Sequence, residues 1–439
     1  MTKLFGTDGV RGLVNIDLTA ELALKLGASV AHILKKEYKK DKLTFFIGCD
    51  TRISKDMLKS SVISGFLSEG CDIIDLDIIP TPAISYLITK YKLDGGFVIS
   101  ASHNPSVYNG IKVFNSLGYK LDDKLEDKIE NYLLSEFKFN DNKNEVGKLK
   151  YKDLKQEYVD YLKTTIDVDK IPFKVVIDTA NGASFKTADM LFSMLDIDYK
   201  IINNQVDGYN INENAGSTHM DGLREEVLKG KYDLGIAFDG DADRCLFVDS
   251  DGEAVDGDYV LAIAAEYLHE DTIVGTVMSN LGLLKYLENS KKEFIATNVG
   301  DKYVLLELLK LKKNIGGEQS GHIIFRNYLN TGCGELTALQ ILNIMTKENK
   351  SLKELKSIMK KYPQVLVNMD ATKEEKEKIK TENIQNIIIK YQNLLKGNGR
   401  ILVRPSGTEN LIRIMIEGEG DKIKDYALKL RDELKEELK

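Results

Sequence analysis

Leu234-Gly235-Ile236-Ala237-Phe238-Asp239-Gly240-Asp241-Ala242-Asp243-Arg244-Cys245-Leu246-Phe247-Val248 is the stretch from which the rest of the chain can be read. An apolar run, a tight acidic loop and a second apolar run spell a strand that returns on itself through a charged turn. Within the loop three carboxylates fall at i, i+2 and i+4. Like charges so close raise one another's energy unless a cation lies among them, and hard oxygen donors at this spacing suit Mg²⁺ or Ca²⁺. An EF-hand is excluded, because counting from Asp239 its obligatory Gly and Glu positions are Arg244 and Ser250, and the flanks read as strands. A solvated Asp-rich turn is the plainer alternative.

The same grammar extends to both sides. Upstream, Phe45–Cys49, Asp72–Ile78 and Phe97–Ser100 read as strands, with amphipathic helices starting near Thr19, Lys55 and Pro82. The central block adds Lys174–Asp178 and Tyr199–Ile202, and a third block offers Thr272–Val277, Glu293–Thr297 and His322–Phe325. Strands alternating with helices predict α/β units, repeated without sequence identity. From about Gln364 the order changes to a strand Val365–Met369, a Lys/Glu-rich helix from Lys373, paired strands Arg400–Val403 and Leu411–Glu417, and a charged terminal helix, which predicts a two-layer α+β domain. The expected fold class is therefore α/β: three related mixed-sheet α/β domains plus a C-terminal α+β domain. Expected boundaries are 1–150, 151–252, 253–363 and 364–439, with the polar segment Asn140–Lys150 closing the first.

Composition agrees with several packed cores. The chain has 439 residues, 43% hydrophobic and 29% charged, and only 34 Gly and 6 Pro, which excludes disorder and fibrous repeats. Lys+Arg 61 against Asp+Glu 68 gives a net charge of −7 with both signs interspersed, so nucleic acid is not an expected partner. No secretory signal and no apolar run of about 18 residues is read, so the expectation is a cytoplasmic protein with no membrane partner. Cys49, Cys71, Cys245 and Cys333 lie far apart without a CxxC pair and read as reduced, buried thiols.

Four further segments carry candidate chemistry. In Gly95–Asn115 an apolar strand ends in Ser100-Ala101-Ser102-His103-Asn104-Pro105 and runs on to Asn109-Gly110-Ile111-Lys112, leaving Ser102 just past a strand end, where α/β folds place reactive groups. A dyad with His103 is disfavoured: adjacent residues are expected to project in different directions, and no GxSxG elbow is present. A polar turn closed by Pro105 explains the same residues. Gly316-Gly317-Glu318-Gln319-Ser320-Gly321-His322 holds acceptors and donors able to meet several sugar hydroxyls. Arg404-Pro405-Ser406-Gly407-Thr408-Glu409-Asn410, with Arg413 following, offers freed N–H groups, hydroxyls and guanidinium groups for a phosphate dianion, or a plain hairpin turn. Phe5-Gly6-Thr7-Asp8-Gly9-Val10-Arg11-Gly12 sets three glycines around an arginine, either for close approach to a ligand or for a tight turn.

Taken in order, FGTDGVRG (Phe5–Gly12), SASHNP (Ser100–Pro105), DGDADR (Asp239–Arg244), GEQSGH (Gly317–His322) and RPSGTEN (Arg404–Asn410) resemble the α-D-phosphohexomutase superfamily over nearly the whole chain. Within it the chain is most similar to the bacterial branch that interconverts glucosamine 6-phosphate and glucosamine 1-phosphate. The resemblance implies four domains around a central active-site cleft and a phosphorylated hexosamine as substrate. It also implies one Mg²⁺ per site, a phosphorylated Ser102, glucosamine 1,6-bisphosphate as intermediate and a homodimer. The product would feed UDP-N-acetylglucosamine and cell-wall precursor synthesis. By position, Ser102 resembles the serine that carries the phosphoryl group, and Asp239, Asp241 and Asp243, with Ser102, resemble the metal ligands. Arg11, Lys112 and His322 match groups near the reacting phosphate, with the proton carrier among them left open. Arg244, Glu318 and Ser320 fall among substrate-contacting positions, and Arg404, Ser406, Gly407, Thr408 and Arg413 fall where the family grips the resting phosphate. Cys333 and Asn410 depart from the residues most common at those positions. A mannose or glucose phosphate mutase on the same scaffold is the nearest alternative, and a catalytically dead sugar-phosphate binder is the alternative from another class.

Overall fold

The computed structural model describes residues 4–6, 8–139, 141, 145–406, 410–420 and 422–438. Of the polar segment Asn140–Lys150, residues 140 and 142–144 lie outside the described residues. The chain forms two units, Met1–Met278 with Phe294–Ser357, and Ser279–Glu293 with Ile358–Lys439.

Three sheets build the first unit. The first runs in the order Phe5–Gly6, Gly9–Leu13, Tyr108–Asn115, Gly95–Ile99, Thr44–Cys49, Asp72–Ile78, Leu149–Tyr151. Thr44–Cys49 and Gly95–Ile99 are apolar and buried along almost their whole length, as strands covered on both faces must be. The helix Ala20–Tyr38 starts where expected, with the Thr19 hydroxyl accepting from Leu22 N at 3.1 Å. In the second sheet Leu234–Phe238 lies parallel to Lys170–Asp178 and antiparallel to Cys245–Asp249, so the returning strand read from the sequence is present. In the third, Ile315–Gly317 lies parallel to Thr272–Thr276 and antiparallel to Ile323–Phe325.

One regularity places the chemistry. In each sheet the motif loop joins a strand to its antiparallel neighbour, at 100–107, 239–244 and 318–322. Each loop also contains one left-handed residue, Ser102 at φ 52°, Ala242 at 57° and Gly321 at 91°. Two of the three are not glycine, a backbone strain that surrounding contacts must hold in place. Strands Gly9–Leu13 and Tyr108–Asn115 are not foreseen in the sequence. They pair antiparallel, with Arg11 opposite Gly110, and Asn109 and Lys112 are buried within them, which erases the apolar/polar alternation that marks an ordinary strand.

The helix Gly334–Glu348 is buried from Gly334 to Met345 and carries Glu335 at 0% exposure. Burial pushes the Glu335 carboxyl up to about 7, offset only in part by the Thr187 and Tyr158 hydroxyls. Its protonated form is therefore the one the fold accommodates. Stability is fully present below the unfolded carboxyl's range and is lost as pH rises through about 7. Relative to Glu335→Gln, the parent should lose on the order of 3 kcal/mol between pH 4.5 and 8, read as a gap in Tm that opens with pH. A gap independent of pH would contradict this.

The second unit has an antiparallel sheet, Gln364–Asp370, Leu411–Gly418, Gly399–Pro405, with Leu411–Gly418 central. Ile412, Ile414 and Ile416 join Ala427, Leu430 and Leu434 of the terminal helix Ile423–Glu437 in its core. The helix expected from Lys373 is two helices, Lys373–Lys378 and Glu382–Leu394, because the chain becomes extended at Thr381, which caps the second. Helix Leu281–Asn289 belongs to this unit, tied in where the buried Glu417 carboxylate accepts from Asn280 Nδ2 at 3.0 Å and Leu281 N at 3.3 Å. Among the described residues no helix is long and apolar enough to cross a membrane. All four cysteines are free and buried.

Candidate active site

Ser102 is the natural starting point because its hydroxyl is a buried nucleophile with defined partners. It is 1% exposed, and its Oγ donates to Asp239 Oδ2 at 2.6 Å. The adjacent-residue argument against His103 needs correction. The left-handed turn at Ser102 swings the imidazole round, and His103 Nδ1 lies 3.4 Å from Ser102 Oγ. Burial, then Arg244 and Arg11, push His103 down to about 4, so it is neutral near pH 7. The loop backbone is held by Arg52, which is fully buried and donates to the carbonyls of Ser102, Asn104, Pro105 and Tyr108, while Asn212 Nδ2 donates to Ser102 O at 2.9 Å.

The acidic loop meets this serine directly. Asp239, Asp241 and Asp243 are buried, and one carboxylate oxygen from each lies within 4.8 Å of the others. Lys112 Nζ, itself 0% exposed, donates to Asp241 Oδ2 at 2.7 Å and Asp243 Oδ2 at 3.2 Å and lies 3.0 Å from Asp8 Oδ2. Burial works against a charged Lys112, but Asp241, Asp243 and Asp8 outweigh it and hold the amine well above its ordinary range. Asp239 is also driven up, well above the usual carboxylate range, by burial and then by Asp243 and Asp241, which favours its neutral form. Burial also opposes ionised Asp243, yet Lys112 and His322 keep it low. Thr81 Oγ1 donates to Asp241 Oδ2 at 2.5 Å.

Beyond Lys112 the charges continue as a chain. Asp8 pairs with Arg11 and Lys120, Lys120 Nζ reaches Asp301 Oδ2 at 2.6 Å, and Asp301 Oδ2 lies 3.3 Å from His322 Nε2. Arg244 Nε stands 4.0 Å from Asp239 and 3.9 Å from Asp243. In the third loop Glu318 accepts from Gly300 N at 3.0 Å and is raised by burial, and Ser320 is half-buried. Backbone bonds lock the loops together, Cys245 N to Gly321 O at 3.0 Å and Gly334 N to Ala242 O at 2.9 Å.

The first unit thus brings Ser102, Lys112, Arg11, Asp239, Asp241, Asp243, Arg244, Glu318 and His322 into one neighbourhood. The second unit makes a grouping of its own. Arg404 and Arg413 are register partners on adjacent strands, and burial followed by the Arg413 charge lowers Arg404, as expected for a cationic pair that gains from an anion. Ser406 O accepts from Lys376 Nζ at 3.1 Å, adding a third cation. Gly407 and Thr408 lie outside the described residues.

Known proteins match the chain along nearly its whole length. Four descriptions cover the chain in order: phosphoglucomutase/phosphomannomutase alpha/beta/alpha domain I at residues 2–139, domain II at 156–252, domain III at 256–362 and the C-terminal domain at 342–433. A phosphoglucosamine mutase of Clostridium acetobutylicum is 47% identical over 95% of both chains. The chain belongs to the phosphoglucomutase/phosphomannomutase family. Like others of this family it is an isomerase that moves phosphoryl groups. Among solved structures, a family member from Burkholderia thailandensis superposes with TM-score 0.82 at 20% identity, covering 99% of this chain and 98% of that one. An N-acetylphosphoglucosamine mutase of Aspergillus fumigatus, solved with GlcNAc-6P and magnesium, gives 0.72 at 16%, covering 99% and 96%.

For a phosphoglucomutase/phosphomannomutase chain, the donor set around Ser102 passes a test of fit to a hard divalent cation. Among the described residues, Asp241 Oδ1 and Asp243 Oδ1 are buried with no hydrogen-bond partner, and Asp239 cannot easily ionise beside two other carboxylates. A cation would relieve both. Sequence reasoning missed Arg52, Thr81, Asp8, Lys120 and Asp301. Asp8 stands inside Phe5–Gly12, whose legible signals are its glycines and Arg11; the others belong to no motif that chemistry singles out.

At Gly332 the missing side chain leaves room for a functional group. A Cβ at that position would lie 2.3–2.5 Å from three atoms of the His322 ring. Gly332→Ala is expected to displace the imidazole and lower kcat roughly 100-fold with little change in Tm, since a misplacement near 1 Å costs about that much. A parent-like kcat would show that His322 can sit elsewhere without loss.

Proposed function

We propose that the chain interconverts glucosamine 6-phosphate and glucosamine 1-phosphate through a phosphoserine at Ser102. The carrying observation is the juxtaposition of a buried serine hydroxyl, 2.6 Å from Asp239, with a carboxylate triad and a lysine. The name borne by relatives as similar as the Clostridium acetobutylicum enzyme supports the choice of sugar. In the first half-reaction the phosphorus–Oγ bond of phospho-Ser102 breaks and a bond forms to the free sugar hydroxyl, giving glucosamine 1,6-bisphosphate. The hydroxyl proton passes to a base of the site. After the bisphosphate turns over, the other phosphoryl group returns to Ser102 Oγ and the product leaves. Each step exchanges one phosphorus–oxygen bond for another, so no outside reactant is needed.

Asp239, Asp241 and Asp243, together with Ser102, would hold Mg²⁺, which supplies positive charge against the transferring oxygens. Lys112 and Arg11 steady the negative charge that remains. Three carboxylates keep Lys112 protonated, which favours that electrostatic role and leaves His322 as the better proton carrier of the two. Arg244, Glu318 and Ser320 would orient the sugar. Arg404, Ser406 and Arg413, with Gly407 and Thr408, would bind the phosphate that is not reacting. The 1-phosphate product would enter nucleotide-sugar and cell-wall precursor synthesis.

Initial rates on glucosamine 6-phosphate, mannose 6-phosphate and glucose 6-phosphate test the sugar; a preference for mannose or glucose would overturn it. Asp241→Asn should weaken Mg²⁺ binding about ten-fold or more by calorimetry while the protein stays folded, because it removes one hard anionic donor and its charge. Unchanged metal affinity would sink the triad assignment.

A further inference from the structure

Behind the charge chain, still within the first unit, lies a cavity of about 250 Å³. Tyr119, Leu305, Leu306, Leu309 and Ile324 make its apolar wall, while Lys120 and Asp301 form the polar wall, with Asn330 and Thr331 beside them. Leu306 is 49% exposed, an apolar residue left open to solvent by the same helix, Asp301–Leu311, that supplies Asp301. We propose that this cavity binds an uncharged, mainly apolar molecule the size of one fused ring pair, and that filling it slows the reaction through Lys120 and Asp301. The second half rests on the function proposed above.

The occupant's chemistry follows from what is already matched. Lys120 holds Asp8 and Asp301, Lys302 holds Asp123 at 2.8 Å and Glu126 at 3.0 Å, and the Asp122 carboxylate accepts from Leu125 N at 2.9 Å. A charged guest would have to take a partner from one of these pairs and leave a buried charge exposed to apolar surroundings, which is costly. A neutral guest faces no such demand, and the Asn330 amide or the Thr331 hydroxyl can meet a single N–H or carbonyl edge. Size is the second constraint. A dry engineered cavity of about 150 Å³ accepts benzene, so this one suits roughly ten non-hydrogen atoms.

The coupling follows from shared side chains. Lys120 touches Asp8, which pairs with Lys112 and Arg11, and Asp301 touches His322. A guest seated against these two side chains moves groups that stand one contact from the reacting centre, where small displacements carry large rate penalties.

Indole is a suitable probe, because the chain has no tryptophan and excitation beyond the tyrosine absorption band lights indole alone. Titration should give a saturable blue shift. Leu309→Phe, which occupies the apolar part of the cavity, should weaken binding at least ten-fold; Leu306→Phe at the exposed position serves if that variant fails to fold. Saturating indole should lower the parent's kcat several-fold with little change in KM, and leave the filled variant unaffected. Binding unchanged by either substitution, full displacement by glucosamine 6-phosphate, or saturation without any fall in kcat would overturn the proposal. The fluorescence titration needs no turnover, so loss of the proposed mutase activity would leave the binding site itself still under test.

Discussion

Ser102→Ala is expected to fold normally and to turn over at least roughly a thousand-fold more slowly than the parent, the scale seen when a covalent nucleophile is deleted. The reason is that no substitute oxygen is on hand. Thr81, a hydroxyl of the same hydrogen-bond network, is committed to Asp241 at 2.5 Å, and the Ser100 hydroxyl accepts from the Ser102 amide. Removing one hydroxyl leaves Asp239 Oδ2 without its donor. That oxygen belongs to a carboxyl already pushed toward its protonated form, so the stability cost is small beside the catalytic one. Intact-mass measurement separates the two: the parent should carry one phosphoryl group that maps to the peptide holding Ser102, and the variant none. A variant that keeps both the added mass and the rate would mean that the phosphoryl group rides elsewhere.

Most of what places this site was legible in the sequence, for a physical reason. Asp239, Asp241 and Asp243 alternate along one tight loop that lets them face a common point, so this part of the chemistry is written locally. The same holds for Ser102 at the end of an apolar strand and for Glu318–His322 between two short ones. What stayed hidden is non-local. Asp8, Lys120 and Asp301 come from separate parts of the chain and become functional only by pairing across it. Tyr108–Asn115 was unreadable as a strand because its buried polar side chains find partners inside the protein, Asn109 on Ser54 and Lys112 on Asp241, rather than facing water. The meeting of His103 with Ser102 depends on a positive φ at a serine, which no residue preference announces.

Arg52→Met is expected to be the most destabilising of the substitutions considered, lowering stability by about 3–5 kcal/mol and activity with it. The guanidinium is 0% exposed and uses all five of its N–H donors. Nε meets Asp50 Oδ2 at 2.9 Å, Nη1 meets Pro105 O at 2.5 Å and Tyr108 O at 2.9 Å, and Nη2 meets Ser102 O at 2.9 Å and Asn104 O at 2.7 Å. Methionine fills similar volume but leaves a buried carboxylate and four carbonyls deprived of that donor. Arg52→Lys should recover little, since a single ammonium cannot span acceptors fixed around a planar fork. Asp50→Asn combined with Arg52→Met divides the loss into its parts. Burial already raises Asp50 and Arg52 is the main charge opposing it, so neutralising the carboxylate should restore part of the Tm. It should not restore kcat, because the Ser102 carbonyl keeps only the Asn212 donor and the left-handed turn that aims Oγ at Asp239 is freer to relax. If the double variant regained both, Arg52 would matter only as a counter-charge; if Arg52→Met alone kept the parent's Tm and kcat, the clamp would have no role in holding the loop.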